Sequence, residues 1–115
     1  MGRFMRRNTM DLPDIVNMYF DADSCNDTDA LSETFAPDAV VEDEGARHQG
    51  VVAILRWWVA AKKAASYVAE PLESTVDGDK ALVRAKVSGR FPGSPVTLTY
   101  SFTIKDGRIA RLEIQ

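Results

Sequence analysis

The sequence predicts an α+β domain in which a curved antiparallel sheet carries three helices over its apolar face. Three observations carry that prediction. In VTLTYSFTI (96–104), Val96, Leu98, Tyr100, Phe102 and Ile104 alternate with Thr97, Thr99, Ser101 and Thr103, the period of a strand with one apolar and one hydroxylated face. Asp-Gly pairs in VDGDK (76–80) and KDGRI (105–109), with FPGSP (91–95) between them, mark reversals joining consecutive antiparallel strands. Ahead of them, apolar residues recur at helical spacing. An apolar sheet face needs a cover, and those helices supply it.

Each element follows in order. Leu12, Ile15, Val16, Tyr19 and Phe20 define a first helix, with Asp11 as its cap and Pro13 in its first turn; the polar stretch 24–28 ends it. A short second helix over 29–35 buries Leu31 and Phe35, and Pro37 stops it. Residues 39–43 read as a strand, Gly45 as a turn and 47–49 as a return strand. Val51, Ile54, Leu55, Trp58 and Ala61 then share one helical face beside Trp57, and Lys62 and Lys63 suit the last turn. Four strands follow, at 67–76, 80–91, 95–105 and 108–115. In the second of these, Ala81, Val83, Ala85, Val87 and Phe91 oppose Arg84, Lys86, Ser88 and Arg90.

Composition narrows the function classes. A chain of 115 residues suits one domain, taken as 10–115 behind a basic extension, 1–9, that lacks the apolar stretch of a signal peptide. Met5 and Met10 are alternative starts. A net charge of −3 supplies no field to attract nucleic acid or an anionic membrane, and no apolar run approaches the roughly 20 residues of a membrane span. Cys25 is the only cysteine and His48 the only histidine, so neither a disulfide nor a Cys- or His-based metal site is expected. The expectation is a cytoplasmic protein without metal or other cofactor.

The stretch VVEDEGARHQG (40–50) raises the question of chemistry. Ala39, Val41 and Asp43 share one strand face, and Val40, Glu42 and Glu44 the other; apolar residues on both leave the inward face open. A two- or four-residue loop centred on Gly45-Ala46 pairs Asp43 with His48, their Cβ atoms about 4.5–5.5 Å apart, whereas a three-residue loop breaks the pairing. A carboxylate ending a valine strand is partly desolvated, as a general base requires, although turn aspartates commonly face water.

The order helix, helix, hairpin, helix, meander resembles the nuclear-transport-factor-2-like superfamily, and within it the SnoaL-like and ketosteroid-isomerase-like proteins. The resemblance spans 10–115 and is carried by DALSETFAPDAVVEDEGARHQGVVAILRWW and FPGSPVTLTYSFTIKDGRIARLEI. It implies a cone-shaped α+β barrel with the helices on the concave face of the sheet. The superfamily holds isomerases, cyclases, dehydratases, epoxide hydrolases and non-catalytic binding domains, so it implies fold more than function. An epoxide hydrolase would need an inward Asp–Arg–Asp set, which the apolar faces do not offer.

The ketosteroid isomerases place their base in a Val-Glu-Asp context, which Val41-Glu42-Asp43 matches, and their oxyanion tyrosine on the first helix, which Tyr19 matches. Their protonated aspartate falls at Tyr100, a departure that replaces a carboxylic acid by a phenol. The resemblance thus implies Asp43 as base, Tyr19 and Tyr100 as enolate donors and His48 as an aid to proton movement. Trp57, Trp58, Tyr67, Phe91, Tyr100, Phe102 and Met18 would line the pocket, although aromatics at such spacings also build ordinary cores. The activity implied is a cofactor-independent isomerase, cyclase or dehydratase for a small, mostly apolar carbonyl compound. The alternative is a non-catalytic ligand-binding or dimerisation domain. The hydroxylated outer face, with Arg84 and Lys86, offers a polar homodimer contact.

Overall fold

The structure, a computed structural model, describes residues 12–115. The extension 1–9, the alternative starts Met5 and Met10 and the expected cap Asp11 lie outside the described residues. The elements are α1 (Asp14–Cys25), α2 (Thr28–Glu33), β1 (Phe35–Asp43), β2 (Ala46–Gln49), α3 (Val51–Ala65), β3 (Val68–Asp77), β4 (Lys80–Ser88), β5 (Val96–Lys105) and β6 (Arg108–Ile114).

The strands form one curved sheet in the order β2-β1-β6-β5-β4-β3. The antiparallel meander β3 to β6 is as the Asp-Gly turns predict. At its far edge β1 runs parallel to β6, with Val41 beside Leu112 and Asp43 beside Ile114, so the sheet is mixed where an antiparallel one was expected. β1 arrives from a helix, not from a hairpin with β6, and no tight turn forces that pair to run in opposite directions.

Alternation sorts the side chains as the sequence implies. Ala81, Val83, Ala85 and Val87 of β4 are buried, while Leu82, Arg84 and Lys86 point outward, where Arg84 pairs with Glu73 at 3.0 Å. Against the inner face α1 packs Val16, Tyr19 and Phe20, and α3 packs Ile54 and Trp58. The rings meet edge-on, Tyr19 lying 5.4 Å from Phe102 and Phe20 lying 5.3 Å from Tyr100.

Local chemistry sets the joints differently from the sequence reading at several places. Pro13 stands just outside α1 as its N-cap, and α1 continues through Ser24 and Cys25 until Asn26 turns left-handed at φ 55. Asp27 then caps α2 by accepting from the Ala30 N–H at 3.1 Å. Pro37 does not end α2, which closes at Thr34. It lies within β1, where the register against β6 shifts between Phe35 and Val40 and a missing N–H is tolerated. Phe91 is not on β4, which stops at Ser88 because the chain turns toward the end of α3. There the Arg90 N–H donates to the Ala65 carbonyl at 2.6 Å, and a Cβ on Gly89 would stand 2.6 Å from that same oxygen. Gly50 holds φ 87, ψ 155 at the start of α3 and donates to the Ala39 carbonyl at 2.8 Å. That bond ties α3 to β1. Among the described residues no helix is long and apolar enough to cross a membrane.

Candidate active site

The β1–β2 turn is built from Glu44 (φ 53) and Gly45 (φ 77), both left-handed, as a two-residue hairpin loop demands. Glycine therefore occupies the second loop position, not the first. Asp43 pairs with Ala46 and Val41 with His48, so the expected Asp43–His48 pairing is corrected. His48 stays on the Asp43 face, two rungs down the ladder, and its ring lies 6.0 Å from that of Trp57. From α3 the Trp57 indole N–H donates to Asp43 Oδ2 at 3.0 Å and orients the half-buried carboxylate. Glu42 points to the other face and pairs with Arg111 from β6, while Glu44 is exposed in the turn.

A second carboxylate lies deeper. Val16, Tyr19, Phe20 and Asp23 occupy i, i+3, i+4 and i+7 of α1, the helix's buried stripe, and Asp23 is only 1% exposed. Its Oδ1 accepts from the Trp58 indole N–H and from the Tyr67 hydroxyl, each at 2.8 Å, and Lys62 Nζ stands 3.5 Å away. Lys62 also donates to the Tyr67 carbonyl at 3.0 Å and lies 4.0 Å from the centre of the Tyr67 ring. Among the described residues Asp23 Oδ2 has no hydrogen-bond partner. A buried acceptor left unmatched costs about 1–3 kcal/mol. The sequence reading passed over Asp23, although a charged residue at the i+7 position of an apolar stripe is a legible signal.

Three phenols stand among these acids. Burial, first of all, pushes the Tyr19, Tyr67 and Tyr100 hydroxyls well above the usual phenol range, and the negative charges of Asp23 and Asp43 add to each. They remain O–H donors at any physiological pH. Linkage gives an expected outcome. In the unfolded chain a phenol titrates near 10.0, while in the folded chain it keeps its proton. The stability contributed is fully present below pH 10 and is lost as pH rises toward the folded-state values, by about 1.4 kcal/mol per pH unit for each tyrosine. Urea unfolding between pH 9 and 11.5 checks this; a flat profile would contradict it.

The remaining expected pocket residues divide. Trp58 and Tyr67 hold Asp23, Trp57 holds Asp43, and Tyr100 is buried against the rings of Phe20 and Phe102. Phe102 is fully buried in the ring cluster with Tyr19 and Phe20. Phe91 packs at the core's edge from the turn before β5. Met18 is a correction: it is 48% exposed and lines an outer groove with Asp21, Cys25 and Glu33, off the stripe of Tyr19 and Asp23. Among the described residues no group of three or more His, Cys, Asp or Glu side chains is placed to hold a metal ion.

A sequence model of the SnoaL-like domain matches residues 16–112. The chain belongs to the SnoaL-like family. Its six-stranded sheet and three helices are the cone fold of the nuclear-transport-factor-2-like and ketosteroid-isomerase-like proteins. This SnoaL-like chain is similar to a Sinorhizobium meliloti protein that carries a provisional name as a polyketide cyclase: identity is 98% over 94% of this chain and 99% of that one, with a TM-score of 0.92. Two more distant structures show the fold alone. A Catenulispora acidiphila protein of ketosteroid-isomerase-like fold, in complex with trimethylamine, is 20% identical with a TM-score of 0.78, covering 90% of this chain and 85% of its own. A Xanthomonas campestris protein, also provisionally named a polyketide cyclase, is 20% identical with a TM-score of 0.76, covering 87% of this chain and 85% of its own. No curated protein sequence matches the SnoaL-like chain.

Proposed function

We propose that this SnoaL-like domain is a cofactor-independent enzyme that moves a proton on a carbonyl compound, in an isomerisation or a ring closure of polyketide type. The observation that carries the reading is Asp43, half-buried and with one oxygen held by the Trp57 N–H, whose charge is felt by the protonated phenols of Tyr19 and Tyr100. Asp43 takes the proton from the carbon beside the carbonyl, and the electron pair passes to oxygen as an enolate. Tyr19 and Tyr100, whose rings are 6.4 Å apart, donate to that oxygen as its charge develops. In an isomerisation, protonated Asp43 returns the proton to another carbon of the enolate. In a ring closure, the enolate carbon bonds to a second carbonyl carbon and the proton goes to the new alkoxide. His48, across Trp57, stands at the rim of this path and is not required as a relay.

The provisional polyketide cyclase name of the Sinorhizobium meliloti protein supports the reaction class. Proton exchange tests it without knowledge of the natural substrate. Aryl 1,3-diketones incubated with the protein in D₂O should lose their α-proton NMR signal faster than in buffer alone. Tyr19→Phe should slow that exchange on the order of 10²-fold, the loss typical of one oxyanion donor. Exchange no faster than buffer across such a panel would favour a non-catalytic binding domain.

A further inference from the structure

We propose that Asp23 is a ligand-recognition residue whose free Oδ2 accepts a hydrogen bond from a neutral hydroxyl or phenol of the bound molecule. The proposal rests on reading the cluster of buried phenols and carboxylates as a small-molecule site, but not on the role given to Asp43.

The argument begins with an asymmetry. Among the described residues, every partner of the Asp23 carboxylate, the Trp58 N–H, the Tyr67 O–H and Lys62 Nζ, is on Oδ1, while Oδ2 is buried with none. Those partners come from α3 and from the residue just before β3, while Asp23 itself comes from α1, so three parts of the chain fix the carboxylate plane. A side chain held this firmly cannot turn Oδ2 toward a better neighbour. The empty lone pairs are a preset acceptor, and buried acceptors are ordinarily filled. The Tyr19 and Tyr100 hydroxyls are close enough for the Asp23 charge to act on them, yet neither bonds to Oδ2.

Charge decides which donor fits. Lys62 already supplies a cation 3.5 Å from Oδ1 and covers the Tyr67 ring face at 4.0 Å. An ammonium ligand would meet that cation at short range and find the nearest aromatic face taken. A hydroxyl or phenol brings one donor hydrogen and no charge. The substrate class therefore narrows from an apolar carbonyl compound to a hydroxylated one: its carbonyl faces Tyr19 and Tyr100, and a hydroxyl elsewhere on the molecule reaches Asp23.

A matched pair of probes tests this on the intact chain. 2-Naphthol and 2-methoxynaphthalene share a ring system, but only the first has a donor hydrogen. Titration followed by tryptophan fluorescence, and by the indole N–H resonances in NMR, should show 2-naphthol binding at least tenfold more tightly and giving nuclear Overhauser contacts to Trp58. Asp23→Asn keeps an oxygen for Trp58 and Tyr67 but places an amide N–H₂ where Oδ2 was, so the preference should fall to within about twofold. Equal binding of the two probes, no binding by either at saturating concentration, contacts that exclude Trp58, or a preference that survives Asp23→Asn would each overturn the proposal. The wild-type comparison stands even if that variant fails to fold. Since no turnover is measured, failure here leaves the Asp43 reading intact, and failure of turnover leaves this result intact.

Discussion

Asp43→Asn is expected to lower kcat/KM for the proton-transfer reaction by about 10²–10⁴, the usual worth of a positioned general base. The substitution isolates the chemistry because asparagine has the same shape. Its amide oxygen can still accept from the Trp57 N–H, which holds the carboxylate at 3.0 Å, so the side chain keeps its direction. The backbone of β1 at this point is paired with Ala46 on one side and Ile114 on the other, and neither pairing uses the side chain. Stability should therefore change by less than about 1 kcal/mol, and a drop in rate reports the lost proton acceptor. The measurement is steady-state kinetics on whichever diketone shows exchange, with thermal unfolding of the same preparations. Retention of more than a tenth of the wild-type rate would remove Asp43 from the mechanism and direct attention to Asp23.

How far that site could be read in advance depended on which interactions are local. Alternation in β4 and β5, the Asp-Gly turns and the helical spacing of Val16, Tyr19, Phe20, Ile54 and Trp58 all depend on neighbours within a few residues, and these elements form where they were expected, except that β4 stops at Ser88, short of Phe91. The Asp43 face followed from the same alternation once the family pattern chose between two apolar faces. The hairpin register did not, because it turns on one choice: whether Gly45 fills the first or second left-handed position of the turn. Glu44 accepts φ 53, the loop moves back by one residue, and His48 lands opposite Val41. Asp23 was missed for another reason. Its partners lie 35 and 44 residues away in sequence, on α3 and before β3, and no local pattern announces that Trp58 and Tyr67 converge on one oxygen. Only its place in the stripe Val16, Tyr19, Phe20 marked it as buried. Pro37 misled in the same way, since strand irregularity against β6 is a tertiary property that its own neighbours do not encode.

Asp23→Ala is expected to destabilise the fold by about 3–5 kcal/mol, the range for removing one partner of a buried charged pair. Removing the carboxylate strands three donors at once: the Trp58 N–H, the Tyr67 O–H and the Lys62 ammonium lose their common acceptor. Lys62 is the member that decides the size of the loss. Its side chain is 13% exposed against 1% for Asp23, so it can recover part of its hydration by moving outward, but only by leaving the Tyr67 ring and carbonyl. The surface pair Arg84–Glu73 supplies the contrast. With both side chains 57% exposed it holds a similar distance in water, and such pairs contribute about 0–1 kcal/mol. Distance alone would rank that pair, at 3.0 Å, above the 3.5 Å contact of Lys62 with Asp23; burial reverses the order. Asp23→Asn should fall between wild type and the alanine variant, since it keeps an oxygen for Trp58 and Tyr67 and loses only the charge facing Lys62. Chemical denaturation of the three proteins at pH 7 measures the series. A loss below about 1 kcal/mol for Asp23→Ala would mean that the cluster is solvated like the surface pair, and that Asp23 does not organise the inner end of the site.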